Sequence, residues 1–276
     1  MYNKVKKVAA IHDLAGIGRC SLTAAIPILS VLGVQVCPLP TAILSCQTDY
    51  SDFYFFDFTS EMNNYKKSWT NMGFRFEGIY SGFLGSEEQI NIVIDLIQKH
   101  QDAFVLVDPV MGDNGKRYKT YTDSMCNSMR NLVKYADVVT PNLTECCILT
   151  DRIYEDVNAD ESTLLQIARE ISDLGPEKVV ITGVVKDDIV ITFAYDREKD
   201  DCFIVENEFN HKSYSGTGDI FASIICGVLV NGGNFKYAVN KACRFIKDTI
   251  DFTDSDEVDT NNGIYFEPLL KELLIK

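Results

Sequence analysis

The sequence has little histidine, three residues in 276, and a single tryptophan. It contains no CxxC pair, no GxSxG elbow, no GxxxxGK[ST] loop and no complete GxGxxG. Each absence removes a class of protein. With His12, His100 and His211 scattered and no elbow serine, triad hydrolysis has weak support. The missing GxxxxGK[ST] argues against a phosphate-loop NTPase. The runs "GIGRCS" (16–21) and "GTGDIF" (216–221) each lack the last glycine of a dinucleotide fingerprint.

Positive charge is also short. Twenty-six basic residues face 40 acidic ones, a formal charge of -14, which makes nucleic acid or an anionic membrane a poor partner. A small phosphorylated ligand is not excluded, because backbone dipoles and a metal hold phosphate locally. No segment reaches the roughly 18 to 20 apolar residues of a membrane span. The start "MYNKVKKVAAIHDL" puts lysines before apolar residues, but His12 and Asp13 end that run early, so a first strand fits better than a secretion signal. Nine cysteines, an odd number with several in apolar segments (Cys20, Cys37, Cys226, Cys243), read as free thiols in a reducing cytoplasm. The sequon at 142–144 would matter only in a secreted chain.

What is present is a rhythm of short β-branched runs and longer helical patterns. Strands are expected at 5–11, 34–40, 76–82, 103–109, 136–142 and 178–183, with helices at 21–33, 86–100, around 122–134 and at 161–175. This is the βαβ order of a parallel sheet with helices on both faces. After residue 183 the runs 188–196 and 202–209, joined by "REKDD", predict an antiparallel hairpin at the sheet edge. Helices at 219–231, 235–251 and 266–275 close the chain, and with no repeat or linker the whole of 1–276 reads as one α/β domain. The aromatic stretch 50–60 reads as a core edge in preference to a flap over a site.

Ligands of open parallel sheets bind at the carboxyl ends of the strands, and polar residues collect there. They are His12 and Asp13; Thr41, Ser45, Gln47, Thr48 and Asp49; Ser81 and Gly82; "DPVMGDNG" (108–115); "TPNLTE" (140–145); and Thr182 with Gly183. Consecutive N–H groups of Gly216, Thr217 and Gly218 at a helix start would form an anion hole. Asp219 beside them could accept a proton from an attacking hydroxyl, and Asp108, Asp113 and Glu145 offer hard oxygens that suit Mg²⁺, mostly through water. Together these serve phosphoryl transfer. Taken singly, each has a plainer reading. Asp219 would cap a helix, Asp108 and Asp113 would sit in turns, Asn142 and Glu145 would cap "LTECCILT", and Phe83 would be core.

"GTGD", "DPVMGD", "TPNLTE" and "VVITG", in the order 108–113, 140–145, 179–183 and 216–219, resemble the ribokinase-like superfamily from residue 5 to about 250. With "SGFLGS" (81–86) added, the chain looks like its pyridoxal/pyridoxamine kinase branch. The resemblance implies a ribokinase-like fold: a mostly parallel central sheet between helical layers, with a small antiparallel hairpin at one edge. It implies ATP-dependent phosphorylation of the 5'-hydroxymethyl group of a B6 vitamer, with Mg²⁺, an assisting K⁺ or Na⁺, and a homodimer. By position, Asp219 would be the base, and Gly216, Thr217 and Gly218 would stabilise the γ-phosphoryl. Asp108, Asp113 and Glu145 would organise Mg²⁺ and the nucleotide phosphates. Thr140, Asn142, Thr182 and Tyr118 would line the ATP side, while Asp13, Thr48, Asp49 and Phe83 would face the vitamer. Two departures stand out: His12-Asp13 where such kinases usually have "QS", and "SCQT" (45–48) for "SNHT". Hydroxymethylpyrimidine (phosphate) kinases share much of the pattern but commonly carry "GTGC", and rank second. A sugar kinase, and a non-catalytic vitamer or nucleotide binder, rank below.

Overall fold

A computed structural model describes residues 5–254 and 258–274. In chain order the elements are β1 (Lys7–Ala15), α1 (Ser21–Val31), β2 (Gln35–Leu44), β3 (Phe55–Asp57), α2 (Thr59–Asn71), β4 (Gly78–Ser81), α3 (Glu87–Lys99) and β5 (Phe104–Val107). Then come β6 (Gly112–Asp113), β7 (Lys116–Arg117), α4 (Asp123–Val133), β8 (Val138–Val139), α5 (Leu143–Thr150), α6 (Glu161–Leu174) and β9 (Lys178–Lys186). The chain ends with β10 (Ile189–Asp196), β11 (Asp201–Glu208), α7 (Thr217–Val230) and α8 (Phe235–Asp254).

The main sheet runs β11-β10-β9-β8-β5-β4-β1-β2-β3. Its six central strands, β9 to β2, are parallel. The expected hairpin β10–β11 adds antiparallel at one edge. Side chains alternate across the sheet, so one strand feeds two cores. Ile11, Ile79, Val107 and Val139 pack with α3, α4 and α6, whereas Val8, Tyr80, Leu106 and Val138 pack with α1, α7 and α8. Helix starts follow the sequence: Ser86 caps α3 by accepting from the Gln89 N–H, and Asp160 caps α6 through Thr163.

Three local readings are corrected. Stretch 50–60 is a core edge only at Phe58, which packs against the core; it carries β3, an outermost strand bonded only to β2 among the described residues, and Tyr54, Phe55 and Phe56 are 68%, 43% and 44% exposed. Helix α2 went unread because only Met62 and Lys66 of its thirteen residues are buried. Residues 267–273 form a 3₁₀ segment in place of the expected helix, with Pro268 at its start, and position 275 lies outside the described residues. Two surface hollows, one around Asp196, Phe203 and Phe235 and one around Gln101, Asp137 and Lys178, lie at the amino-end side of the parallel strands, away from the polar strand ends.

Phe193 on β10 is fully buried in the core below α6. Replacing it with alanine is expected to cost about 3–5 kcal/mol, measured by chemical denaturation. A loss below about 1 kcal/mol would contradict that packing.

Candidate active site

The carboxyl ends of β1, β4 and β5 meet the start of α7. That helix begins without a side-chain cap: Gly216 stands at its N-cap in the left-handed region, φ 80°. A Cβ on Gly216 would lie 2.0 Å from the Arg19 carbonyl oxygen, so the protein itself demands glycine there. Gly218 is different. A Cβ there would meet nothing closer than Asp108 Oδ2 at 4.0 Å, and the residue is exposed. Protein packing does not require this glycine; an approach of another molecule to bare backbone would.

Asp219 follows in the first turn, its side chain 15% exposed. Burial pushes its carboxyl up to about 8; the Ser21 N–H hydrogen bond opposes this, and the charges of Asp108 and Asp13 add to it. Asp13 is buried and accepts a 2.6 Å bond from Ser21 Oγ. Ser21 therefore serves both acids, one through its hydroxyl and one through its main chain. It does so at φ 50°, unusual for a residue with a side chain.

Beyond Gly218 the acids continue. Asp108 Oδ1 accepts from Thr140 Oγ1 at 3.0 Å, and burial raises the Asp108 carboxyl. Glu145 is raised further, by burial first and then by the charge of Asp108. Its two oxygens take the N–H groups of Met111 (3.1 Å) and Asn142 (2.8 Å). Asn142 returns a bond to the Glu145 N–H, so the plainer reading of these two as a capping box on α5 is correct. Asn142 also forms a parallel bridge with Thr182, and its amide donates to the Gly112 carbonyl. Thr217 turns its hydroxyl back to the Tyr214 carbonyl.

Tyr118, on the loop after β7, is 42% exposed; partial burial pushes its hydroxyl up, and the charges of Glu145, Asp113, Asp49 and Asp108 add to this. Asp113 is exposed, its carboxylate held by Asn114 and its pKa raised by burial and by Asp49. Phe83 is half-buried on the loop after β4, with its carbonyl fixed by Thr41 Oγ1, and Thr48 is exposed on the loop after β2. Among the described residues no three His, Cys, Asp or Glu side chains converge as a direct metal cage.

Sequence reasoning missed several supports. The segment 259–267 closes on the site from the far end of the chain: Arg19 binds Glu267 and the Asn262 carbonyl, Gln47 donates to the Asn261 carbonyl, and Tyr50 donates to Asn262. Such contacts across more than 200 positions have no local signal. Ser21 did have one, a serine opening an apolar helix after a glycine-rich turn.

The sequence pattern of the phosphomethylpyrimidine kinase family matches residues 22–265. A crystal structure from Bacteroides thetaiotaomicron, assigned as a phosphomethylpyrimidine kinase, is 42% identical and superposes with a TM-score of 0.96 over 100% of this chain and 96% of that one. A second crystal form of it, with pyridoxal, gives 0.94 over 99% and 96%. Pyridoxal kinase from Lactobacillus plantarum is 26% identical, with a TM-score of 0.91 over 98% and 97%. The hydroxymethylpyrimidine/phosphomethylpyrimidine kinase of Staphylococcus aureus is 29% identical over 177 residues, and the match spans 63% of each chain. With its ribokinase-like sheet and the family pattern running through most of its length, the chain belongs to the phosphomethylpyrimidine kinase family.

Proposed function

We propose that this kinase transfers the γ-phosphoryl group of ATP to the 5'-hydroxymethyl group of a B6 vitamer. The observation that carries the reading is Asp219 on an uncapped helix start, beside a glycine left bare and facing Asp108. In this reading the Asp219 carboxylate takes the hydroxyl proton as the oxygen bonds to phosphorus and ADP leaves. The N–H groups of Gly216, Thr217 and Gly218 hold the phosphoryl oxygens as charge builds on them. Thr140, Asn142, Thr182 and Tyr118 line the nucleotide side; Asp13, Thr48, Asp49 and Phe83 line the vitamer side.

The donor set fits a hard divalent cation. Asp108 keeps Oδ2 outside its bond to Thr140, Glu145 retains lone pairs beyond its two N–H bonds, and Asp113 stands exposed nearby. Mg²⁺ held through water by these acids would supply positive charge to the nucleotide phosphates. K⁺ or Na⁺ as a helper ion is checked by omitting each.

The vitamer is favoured over the pyrimidine by the pyridoxal in the second crystal form of the 42%-identical protein, and by aspartate at 219 where pyrimidine kinases commonly have cysteine. The thiamine-pathway substrate, hydroxymethylpyrimidine or its phosphate, is the second reading, supported by the family match and the Staphylococcus relative. ADP release with pyridoxal, pyridoxine, pyridoxamine and hydroxymethylpyrimidine, each with Mg²⁺ and ATP, separates the two. Highest kcat/KM on the pyrimidine would reverse the ranking, and no substrate-dependent ADP would leave a binder.

Asp219→Asn is expected to lose at least about 10²-fold in turnover, the scale of a positioned base. Its stability carries a second signature. In the chain without ligands the folded carboxyl keeps its proton up to about pH 8, while the unfolded one loses it near the ordinary 3.8; the positive charge of a bound cation would lower the folded value and free the carboxylate to act as the base. Wild-type stability therefore falls as pH rises through that window, and the asparagine variant does not share the fall. The melting temperature of the variant should gain on wild type steadily from pH 4 to pH 8; a pH-independent difference would remove Asp219 as a buried acid.

Asp13 supplies an acid where related kinases have serine, so we assign it the choice among vitamers. Asp13→Ser should change the ratio of kcat/KM for pyridoxamine against pyridoxal, and an unaltered ratio excludes the role. We also propose a homodimer through the exposed β3 edge, where Tyr54, Phe55 and Phe56 form an apolar rim. Phe56→Asp should turn a sedimenting dimer into a monomer; a wild-type monomer at micromolar concentration refutes it.

A further inference from the structure

His12 lies beside Asp219 and has no part in the mechanism above. It has no exposed surface, and neither ring nitrogen has a hydrogen-bond partner. A buried polar atom left unpaired costs about 1–3 kcal/mol, and folded proteins leave few of them. The surroundings are nevertheless fitted to this ring. The β1–β2 pairing shifts register between His12 and Leu14, an irregularity of the kind that re-aims a side chain. Tyr80 packs edge-on at 4.2 Å between centroids. A Cβ on Gly82 would lie 2.2 Å from His12 Nδ1, so position 82 leaves the imidazole its space. Nδ1 stands 3.8 Å from Asp219 Oδ1, about 1 Å beyond a hydrogen bond. Burial pushes the ring's pKa down to about 3, so at neutral pH it is uncharged and carries one N–H.

We propose that His12 is a positioning residue for Asp219: its Nδ1–H closes onto Oδ1 of the ionised carboxylate and turns Oδ2 towards the substrate hydroxyl. The groups around Asp219 leave this task open. Asp13 from β1 and Asp108 after β5 both repel it, and the Cys20 thiol ahead of α1 is held protonated by burial and by the charges of Asp219, Asp13 and Asp49. Tyr80 donates to the Asp219 main-chain carbonyl at 3.3 Å, not to the carboxylate. The Ser21 N–H is one donor. One donor leaves a carboxylate free to swing, and a second fixes its plane.

The inference rests on Asp219 being the base, but its first test does not. Ring ¹⁵N shifts of the wild-type chain, free of ligand and above pH 8 where the Asp219 carboxyl is ionised, distinguish the two neutral tautomers of His12. The Nδ1–H form is expected, and the Nε2–H form overturns the proposal whatever the substrate. The second test is kinetic. His12→Phe keeps a ring without nitrogen and should lose about tenfold or more in kcat, with KM for vitamer and ATP within about twofold. His12→Asn, which returns an N–H near the Nδ1 position, should recover most of that loss. Wild-type turnover in the phenylalanine variant, or equal loss in both variants, defeats the proposal. An active Asp219→Asn would defeat the base assignment itself, a result distinct from either.

Discussion

The site depends on one unfavourable arrangement, acids gathered in a buried cleft against the bare amino end of α7. Asp219, Asp108, Glu145 and Asp13 all have their carboxyls raised, each chiefly by burial. Main-chain N–H groups offset part of this at Glu145 and Asp219, and hydroxyls do so at Asp108 and Asp13. No lysine or arginine is among the causes of any of these four shifts. A fold that wanted only stability would place a cation or an apolar side chain there. Leaving like charges together in low dielectric suits a site whose missing counter-charge arrives with a ligand.

The neighbouring structure can be understood as what holds that arrangement rigid. Gly216 is pressed under the Arg19 carbonyl, and Arg19 is tied to Glu267 and stacked 4.4 Å from the Tyr265 ring centre. The start of α1 is thereby fixed from outside, and Ser21, at its strained φ, presents hydroxyl and N–H to two acids at once. On the other side, Glu145 braces both the "DPVMG" loop and the start of α5. Helix ends and strand ends meet here through main-chain bonds, which are harder to displace than exposed side-chain pairs.

Much of this was legible in the sequence because it is local. The β-branched runs became the parallel strands, the helices expected at 86–100 and 161–175 formed there, and the hairpin took the sheet edge. The polar strand ends converge on α7 because parallel topology leaves them no other side. The failures share a cause of the opposite kind. Strand β3 and helix α2 bury too little to show a period, and residues 259–267 act across the length of the chain. His12 was the subtler loss. It was read only as one of the polar strand-end residues, because its meaning depends on Gly82 and Asp219, brought together only by the sheet.

The two substrates in contention differ in a way the fold's division of labour makes intelligible. Vitamer and pyrimidine each present a hydroxymethyl group on a flat nitrogen heteroaromatic, so the machinery at 216–219 and 108–145 would serve both unchanged. On the proposed reading discrimination would fall to groups that meet the ring, at the ends of β1 and β2 and in the loop after β4. Among them are an acid at 13 bound by Ser21, a half-buried phenylalanine at 83, and Thr48 and Asp49 on an exposed loop. An acid beside a basic ring nitrogen or an aminomethyl group is a charge-assisted contact. Beside a ring that lacks such a group, the same acid is an unpaired buried charge and a penalty. On the proposed reading Asp13 would select by what it refuses as much as by what it binds, and the anion-hole end of the cleft would not need to change for the preference to shift.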